Sequence, residues 1–453
     1  MLRVINYILG LGAAVFLPVI MIIIGLIMKM KPKKAIMSGI TLGIAFTGIN
    51  LVLNFMLESI SPAASQFVKN TGITLTAIDA GWPTMSSIAW AWPAAVIMFP
   101  IQIIINIVML AFGWTNCLNV DLWNVWGKIF TATIVTSITG NIFLGLIAGG
   151  IQVVFELKNA DITQKQIYRL TKIPGVACPH QMLIQGALMA PINKLFDYIP
   201  GLRSSNLDAN KLKSKIGIFG ENSVMGFIVG ALIAIFAGYG LKDILNTAIK
   251  VGTALVFFPM AAKLFMQALA PIADAAGNYM KKRFKGREFY IGLDWPFLAG
   301  QSELWVATII LVPIELLLAV FLNKLGANNV LPLASLINIS VVTPTLIVTG
   351  GNLIRMLIIG IIFTPVYLIV ATNFTNIITN LGRNAGAVKA GQVISWFGIE
   401  LPEFRYSIAH ALNIVHGDFI GLILFISYIL IFIWYSKYMK KRDESFEMES
   451  QTK

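Results

Sequence analysis

The run FIGLILFISYILIFIWY, residues 419–435, carries no charge and is followed at once by SKYMKKRDE. A helix needs about 20 residues to cross the ~30 Å hydrocarbon core of a bilayer. Runs of this kind recur at roughly 5–28, 36–57, 88–112, 116–137, 140–157, 218–240, 246–270, 300–323, 329–348, 352–372 and 416–436. In lipid each backbone N–H and C=O must find a partner inside the protein, so long apolar runs can only become helices. The sequence therefore predicts an all-α polytopic membrane protein of about eleven transmembrane helices. The runs are too long for the short alternating strands of an outer-membrane barrel. Composition agrees, with 57% hydrophobic and 12% charged residues and a mean hydropathy of +0.79, where a soluble domain is about 25% charged.

A net charge of +13 raises the question of nucleic acid, but the placement of the charge argues against it. Lys and Arg cluster beside apolar runs, in KMKPKK (29–34), the segment 158–217, KKRFKGR (281–287) and the C-terminal tail, which together hold 23 of the 34 basic residues. Alternating sides from an external N-terminus puts all four segments in the cytoplasm, as the positive-inside rule requires. The expected topology is N-terminus outside, C-terminus inside. Arg3 precedes an apolar run to Met28 with no small-residue cleavage site, so that run is expected to remain as the first span. Cys117 and Cys178 have neither CxxC nor metal spacing. No GxxxxGK[ST] motif is present for nucleotide phosphates. No metal, cofactor or nucleic-acid partner is expected.

An internal echo narrows the fold. IDAGWPTMSSIAWAWPAAVIMFPI (78–101) returns as IGLDWPFLAGQSELWVATIILVPI (291–314). A displacement of 213 positions aligns Trp82 with Trp295, Pro83 with Pro296, Trp92 with Trp305 and Pro100 with Pro313. Gly25, Lys29 and Gly39 fall on Gly238, Lys242 and Gly252 under the same displacement. Dropping two residues then brings Gly140-Asn141 onto Gly351-Asn352 and Gln181 onto Gln392. Five spans, an odd number, precede the second copy, so the copies should have opposite orientation in the membrane. This is the signature of a transporter with two inverted five-helix repeats, expected over 1–213 and 214–415, with 416–453 as a last helix and tail.

In such proteins the site lies between the copies, on interrupted helices. Three paired segments are too polar or too rich in Gly and Pro for a lipid-facing helix: DAGWPTMSS (79–87) with GLDWPFLAGQSE (292–303), NCLNVDLWNVW (116–126) with NNVLPLASLINIS (328–340), and GVACPHQMLIQG (175–186) with GAVKAGQVISWFG (386–398). A carboxylate at membrane depth costs at least ~2.5 kcal/mol, so Asp294 and Asp121 are candidates for ligand contact. Asp294 also stands where a helix starting at Trp295-Pro296 would be capped, and one carboxylate can do both. His180, in CPHQ, is either a satisfied structural histidine or a ligand-facing base. Gln181 and Gln392 would be paired amides suited to a polyhydroxylated ligand. Trp82 and Trp295 could stack on its C–H face, although Trp in such a chain also serves in interfacial belts. Glu315 reads as a buried structural carboxylate.

The repeat, together with GLDWP, CPHQ and TGGN, resembles the membrane subunit, enzyme IIC, of the bacterial phosphotransferase system, in the ascorbate–galactitol group and most like its galactitol branch. The resemblance covers essentially the whole chain. It implies a homodimer in the bacterial cytoplasmic (inner) membrane, each subunit having a V-shaped scaffold (5–57 and 218–270) and a transport core with re-entrant hairpins (79–200 and 292–412). The core would carry a galactitol-like polyol across in an elevator-type movement. A separate IIB protein, charged by IIA, would phosphorylate it from a phosphocysteine. Ascorbate members of the family place substrate against segments that match Trp82–Thr84, Asp121–Asn124, His180–Gln181 and Asp294. Those members have His where this chain has Asp121, a departure that favours an uncharged polyol over ascorbate. The implied substrate-binding set is Trp82, Thr84, Asp121, Asn124, His180, Gln181, Asp294, Trp295 and Gln392, with Asp294 and His180 as candidate proton acceptors. The chain itself would hold neither phosphocarrier, because its largest polar segment, 158–217, is too short for both.

Two other classes share parts of this pattern. An ion-coupled secondary transporter could use Asp121, Asp294 or Glu315 as its cation site. A membrane receptor has no need of duplicated interrupted helices.

Overall fold

The computed structural model describes residues 13–121, 123–203, 218, 221–283, 289–388, 391–414 and 417–451. The start of the expected first span (5–12), Ser204 with most of the polar segment after it (204–217), and residues 284–287 of KKRFKGR lie outside the described residues.

Helix α1 (Ala13–Ile27) turns back into the long α2 (Pro32–Asn70), whose first helical position is a proline. There the missing N–H costs nothing. Strand β1 (Ala77–Asp79) and α3 (Gly81–Ala91) follow, then a 3-10 turn and α4 (Met98–Ala111). The expected span 88–112 is thus broken: α3 and the segment from Ala95 to Ala111 meet at 95°. Trp92 is extended, with ψ 131°, as the residue before Pro93 must be, and so it ends α3. Next come β2 (Cys117–Asn119), α5 (Val125–Thr139) and α6 (Ile142–Thr171). After β3 (Val176–Ala177) and a 3-10 turn (Gln181–Gln185), α7 (Gly186–Leu195) and the short α8 (Pro200–Arg203) close the first half.

The second half runs α9 (Asn222–Phe236), α10 (Leu241–Arg283), β4 (Tyr290–Gly292), a 3-10 turn (Trp295–Gly300) and α11 (Ser302–Lys324). It continues with β5 (Val330–Leu331), α12 (Ile339–Thr349), α13 (Leu353–Asn384), β6 (Ile394–Ser395), α14 (Pro402–Ala411) and α15 (Phe419–Gln451). Among the described residues five helices are long and apolar enough to cross a membrane: α2, α6, α11, α13 and α15 up to Ser445; the bent pair would make six. The expected spans 116–137 and 329–348 become helical only at Val125 and Ile339, because Asn, Asp and Pro interrupt their first halves. Helix α6 runs past residue 157 to Thr171. Hydropathy falls beyond residue 157, and buried Asn159, Thr163 and Gln166 keep the helix packed there.

The all-α expectation needs one correction. Among the described residues six short strands form two three-stranded parallel sheets, ordered β5-β1-β6 and β2-β4-β3. Each interrupted segment leaves a few extended residues whose N–H and C=O groups have no water at this depth, and the strands pair them. Each sheet has a central strand from one half and two outer strands from the other. The registers match as well: Ala77 pairs with Val330 and Cys117 with Tyr290, each residue of one pair lying 213 positions from a residue of the other. Gly292, central in its sheet, has no room for a side chain; a Cβ there would lie 2.7 Å from Pro179 Cγ and 2.8 Å from Cys117 Sγ.

Helices α1, α2, α9 and α10 pack together, with α10 against both α2 and α9. Gly226 and Gly230 of α9 face Gly252 and Ala248 of α10, where an added Cβ would come within 2.8–2.9 Å of the facing Cα atoms. Such spacing of small residues brings helix backbones into direct contact, as membrane interiors favour. At one end of this layer Asn70 Nδ2 donates to Ala237 O at 2.9 Å, joining the end of α2 to the end of α9.

Candidate functional site

A cavity of about 360 Å³ opens where the carboxyl ends of all six strands converge. Trp82 and Pro83 reach it after β1, Trp123, Asn124 and Trp126 after β2, and His180 and Met182 after β3. Asp294, Trp295 and Pro296 reach it after β4, Ala334, Ser335 and Ile337 to Ser340 after β5, and Trp396, Gly398 and Glu400 after β6. The remaining wall is α2, through Phe46, Ile49 and Asn54. Ends of parallel strands are a common seat for ligands because the chain must leave the sheet there in irregular segments.

Five of its lining residues are tryptophans. Trp126 bridges two of them, its ring 6.4 Å from that of Trp82 and 5.8 Å from that of Trp396. Trp82 is 45% exposed in spite of its size, leaving a broad apolar face towards the cavity. Tryptophan faces of this kind stack on the C–H surface of a polyol while hydroxyls meet polar groups.

The polar groups are few and placed by local turns. Asp294 precedes the 3-10 turn Trp295–Gly300, and its Oδ1 accepts from Trp295 N at 2.7 Å, so the expected cap is present. His180 Nε2 lies 3.5 Å from the same Oδ1. His180 Nδ1 accepts from Met182 N at 3.4 Å, which leaves the proton of the neutral ring on Nε2, facing Asp294. His180 thus acts as a donor in this arrangement, and the Asn124 side chain is a second hydrogen-bond partner of the Asp294 carboxylate, which faces the cavity. Asn338 caps α12 through Oδ1, which accepts from Val341 N at 3.3 Å. Its Nδ2 is buried with no hydrogen-bond partner.

Behind the wall lies a buried charged layer. Lys128 and Glu156 form an ion pair at 2.5 Å, each 1% exposed. Gln152 Nε2 donates to Glu156 at 2.8 Å and to Gln181 Oε1 at 3.2 Å. Arg405, fully buried on α14, donates to Gln181 Oε1 at 2.7 Å, Gly127 O at 3.1 Å and Thr131 Oγ1 at 2.9 Å, and also to Glu400 O. Gln181 in turn donates to the Glu400 carboxylate, which lines the cavity. Gln181 fits there because position 127 is a glycine, whose Cβ would lie 2.0 Å from Gln181 Oε1.

Of the nine residues expected at the site, the structure brings Trp82, Asn124, His180, Asp294 and Trp295 to the cavity wall. Asp121 stands behind Asn124, accepting from its Nδ2 at 2.6 Å and its N at 3.3 Å. Gln181 is in the layer just described. Thr84 donates to Ala80 O at 2.8 Å within α3 and does not line the cavity. Gln392 is exposed ahead of β6, away from the cavity. The cause of that misplacement is a longer connection. Asn141 and Asn352, 211 positions apart, both cap the next helix, but Ala177 and Ser395, the matching strand ends, are 218 apart. Gln181 therefore has no glutamine counterpart in the second half.

Residues 7–391 match the family described as the PTS system sugar-specific permease component, EIIC-GAT. The chain belongs to this family. It is 35% identical over 395 residues, 87% of each chain, to the PTS system galactitol-specific EIIC component of Escherichia coli K12, and equally to that of Escherichia coli O157:H7. With its long apolar helices, this PTS permease component is a multi-pass inner-membrane protein.

Several residues of this EIIC-GAT permease were not anticipated. Glu400 and Arg405 fall two and seven residues past the end of the last paired segment at 398. Three charges in GIELPEFRY, flanked by apolar residues, were a signal that could have found them. Lys128 and Glu156 sit inside expected spans, where any ionisable residue calls for a partner. Asp79 accepts from Ser335 N at 2.6 Å, Phe397 N at 3.1 Å and Gly81 N at 3.3 Å, tying three cavity segments together.

Proposed function

We propose that this chain is a galactitol permease, the membrane subunit of a phosphoenolpyruvate-dependent phosphotransferase system, and that the cavity at the six strand ends holds the polyol. The convergence of all six ends on a tryptophan-walled cavity carries the reading. Specificity follows from charge: among the lining residues Asp294 and Glu400 are acidic, and no Lys or Arg is present. Such a wall suits a neutral hexitol and repels anionic ascorbate. Trp82, Trp126 and Trp295 cover the carbon chain, while Asp294, Asn124, Asn338 and Glu400 meet hydroxyls. Asp294 Oδ2 is the acceptor for the proton of the hydroxyl that a IIB phosphocysteine phosphorylates; in-line transfer asks little else of this chain than position. IIB and IIA are its soluble partners.

The reading extends to two inverted repeats and an elevator-type movement in a homodimer. Its support is the exchange of strands between halves in identical register. The contact of Asn70 with Ala237 sets the end of α9 beside the end of α2, which runs α9 opposite to α1. In this scheme α1, α2, α9 and α10 are the scaffold. The ligand then sits at the seam, since α2 supplies one wall and the strand ends supply the rest. Competition binding with galactitol, mannitol, sorbitol and ascorbate on purified protein tests the substrate. Uptake into vesicles with and without IIA and IIB tests the coupling: galactitol phosphate should appear only with both. Accumulation of free galactitol driven by an ion gradient would instead establish the secondary transporter.

A further inference from the structure

A second hollow, of about 680 Å³, lies between the C-terminal halves of α6 and α15 and shares no residue with the central cavity. Its floor is apolar, made by Val154, Phe155, Ile429, Phe432 and Ile433. Its mouth carries Lys158 and Lys165 from α6 and Lys437 and Lys440 from α15. Both helices turn from apolar to basic along the hollow, α6 at Lys158 and α15 at Lys437. From Val154 to Lys165 the hollow follows α6 for about 16 Å, the reach of a lipid headgroup and the upper part of one acyl chain.

The mouth is basic on balance. With Asp443 paired with Arg169 at 2.5 Å, four lysines face two further acids, Asp161 and Glu444. Lys158 donates one N–H to Trp114 O at 2.5 Å, and an ammonium group has two more. The floor opens sideways on the lipid-facing surface of α15, where Leu430 is 62% and Ile433 48% exposed. A soluble anion has no use for such a floor, which suits an acyl chain.

The geometry points to a bound anionic phospholipid in this hollow, its phosphate among Lys158, Lys437 and Lys440 and an acyl chain against Phe155, Phe432 and Ile433. The inference needs only the membrane insertion of α6 and α15. It is independent of the polyol substrate.

Native mass spectrometry of the detergent-purified full chain tests it with phosphatidylglycerol, phosphatidylcholine and soluble glycerol phosphate as probes. Phosphatidylglycerol should be retained in preference to phosphatidylcholine. Lys437→Gln/Lys440→Gln should lose that retention by about tenfold or more, several-fold for each basic residue. Ile433→Trp keeps every charge but fills the floor, and should lose it as well. All three positions are exposed, and matching elution and far-UV circular dichroism confirm that the variants fold. Equal retention of the two lipids, or unchanged retention in both variants, would overturn the proposal. Displacement by glycerol phosphate at concentrations similar to the lipid would make this a soluble-phosphate site instead. Loss of IIB binding in the lysine variant with lipid retention intact would make it a protein docking face.

Discussion

His180 Nε2 and Asp294 Oδ1 stand 3.5 Å apart across the junction of the two halves, one following β3 and the other β4. They share a sheet, since β4 pairs with β3 through Gly292 and Ala177. The pair is thus set by backbone register, and replacing one member with an isostere leaves its position intact.

Asp294→Asn keeps the cap to Trp295 and the contact with His180 but removes the charge and the proton acceptor. Loss of a charge-assisted hydrogen-bond pair costs about 1.5–3 kcal/mol, or roughly ten- to a hundredfold in affinity. The variant should insert normally, bind galactitol weakly and give little phosphorylation with IIB. Isothermal titration and a IIB-dependent phosphorylation assay check this. If both survive, Asp294 is only a cap.

Asn338 offers a cleaner measure of ligand contact, because its Nδ2 is buried and unpartnered while its Oδ1 caps α12. Asn338→Ser keeps a capping oxygen at the start of α12 and removes the buried donor without introducing a charge. Galactitol affinity should fall by about 1–3 kcal/mol, roughly five- to a hundredfold, with thermal stability unchanged. Unaltered affinity would take Asn338 out of the site.

These two residues illustrate what the sequence could and could not disclose. Asp294 was legible because a carboxylate between Leu293 and Trp295 contradicts its apolar surroundings. Asn338 was not, since an asparagine near a helix start has an ordinary capping role, and only its burial exposes the spare donor. The interrupted segments were legible from Gly, Pro and Asn, yet their pairing into sheets was not, because two or three extended residues leave no period to read. Gln392 was misplaced where the two halves differ in loop length, which no displacement fitted to earlier residues can foresee. Glu400 and Arg405 act across the junction of the halves, and single-sequence spacing says nothing of such contacts.

The buried Lys128–Glu156 pair gives a stability prediction. Removing one partner leaves an uncompensated charge in the core, at a cost of about 3–5 kcal/mol, while replacing both with apolar residues is near neutral. Lys128→Met alone should therefore lower the melting temperature and yield sharply. Lys128→Met/Glu156→Met should recover most of the loss, as measured by thermal unfolding in detergent. A double variant no better than the single one would mean that the pair's other hydrogen bonds, from Gln152 and to Asn124 O, dominate.

Orientation in the membrane can be read with single cysteines. Cys117 and Cys178 are both buried, so the native protein should react little with a membrane-impermeant maleimide. Tyr198 is 74% exposed just after α7, and Leu241 is 73% exposed at the start of α10. Under the positive-inside assignment Tyr198 belongs to the cytoplasmic segment 158–217, and Leu241 to an external turn between two spans. Asn70 and Ala237, hydrogen-bonded at 2.9 Å, sit beside that turn, so α2 and α9 should end on the same outer side. Leu241→Cys should then label in intact cells, and Tyr198→Cys only after the membrane is permeabilised. The reverse pattern would invert the topology while leaving the two halves antiparallel. Labelling of both from outside would mean that an even number of spans separates the two positions, and the inverted-repeat reading would fall.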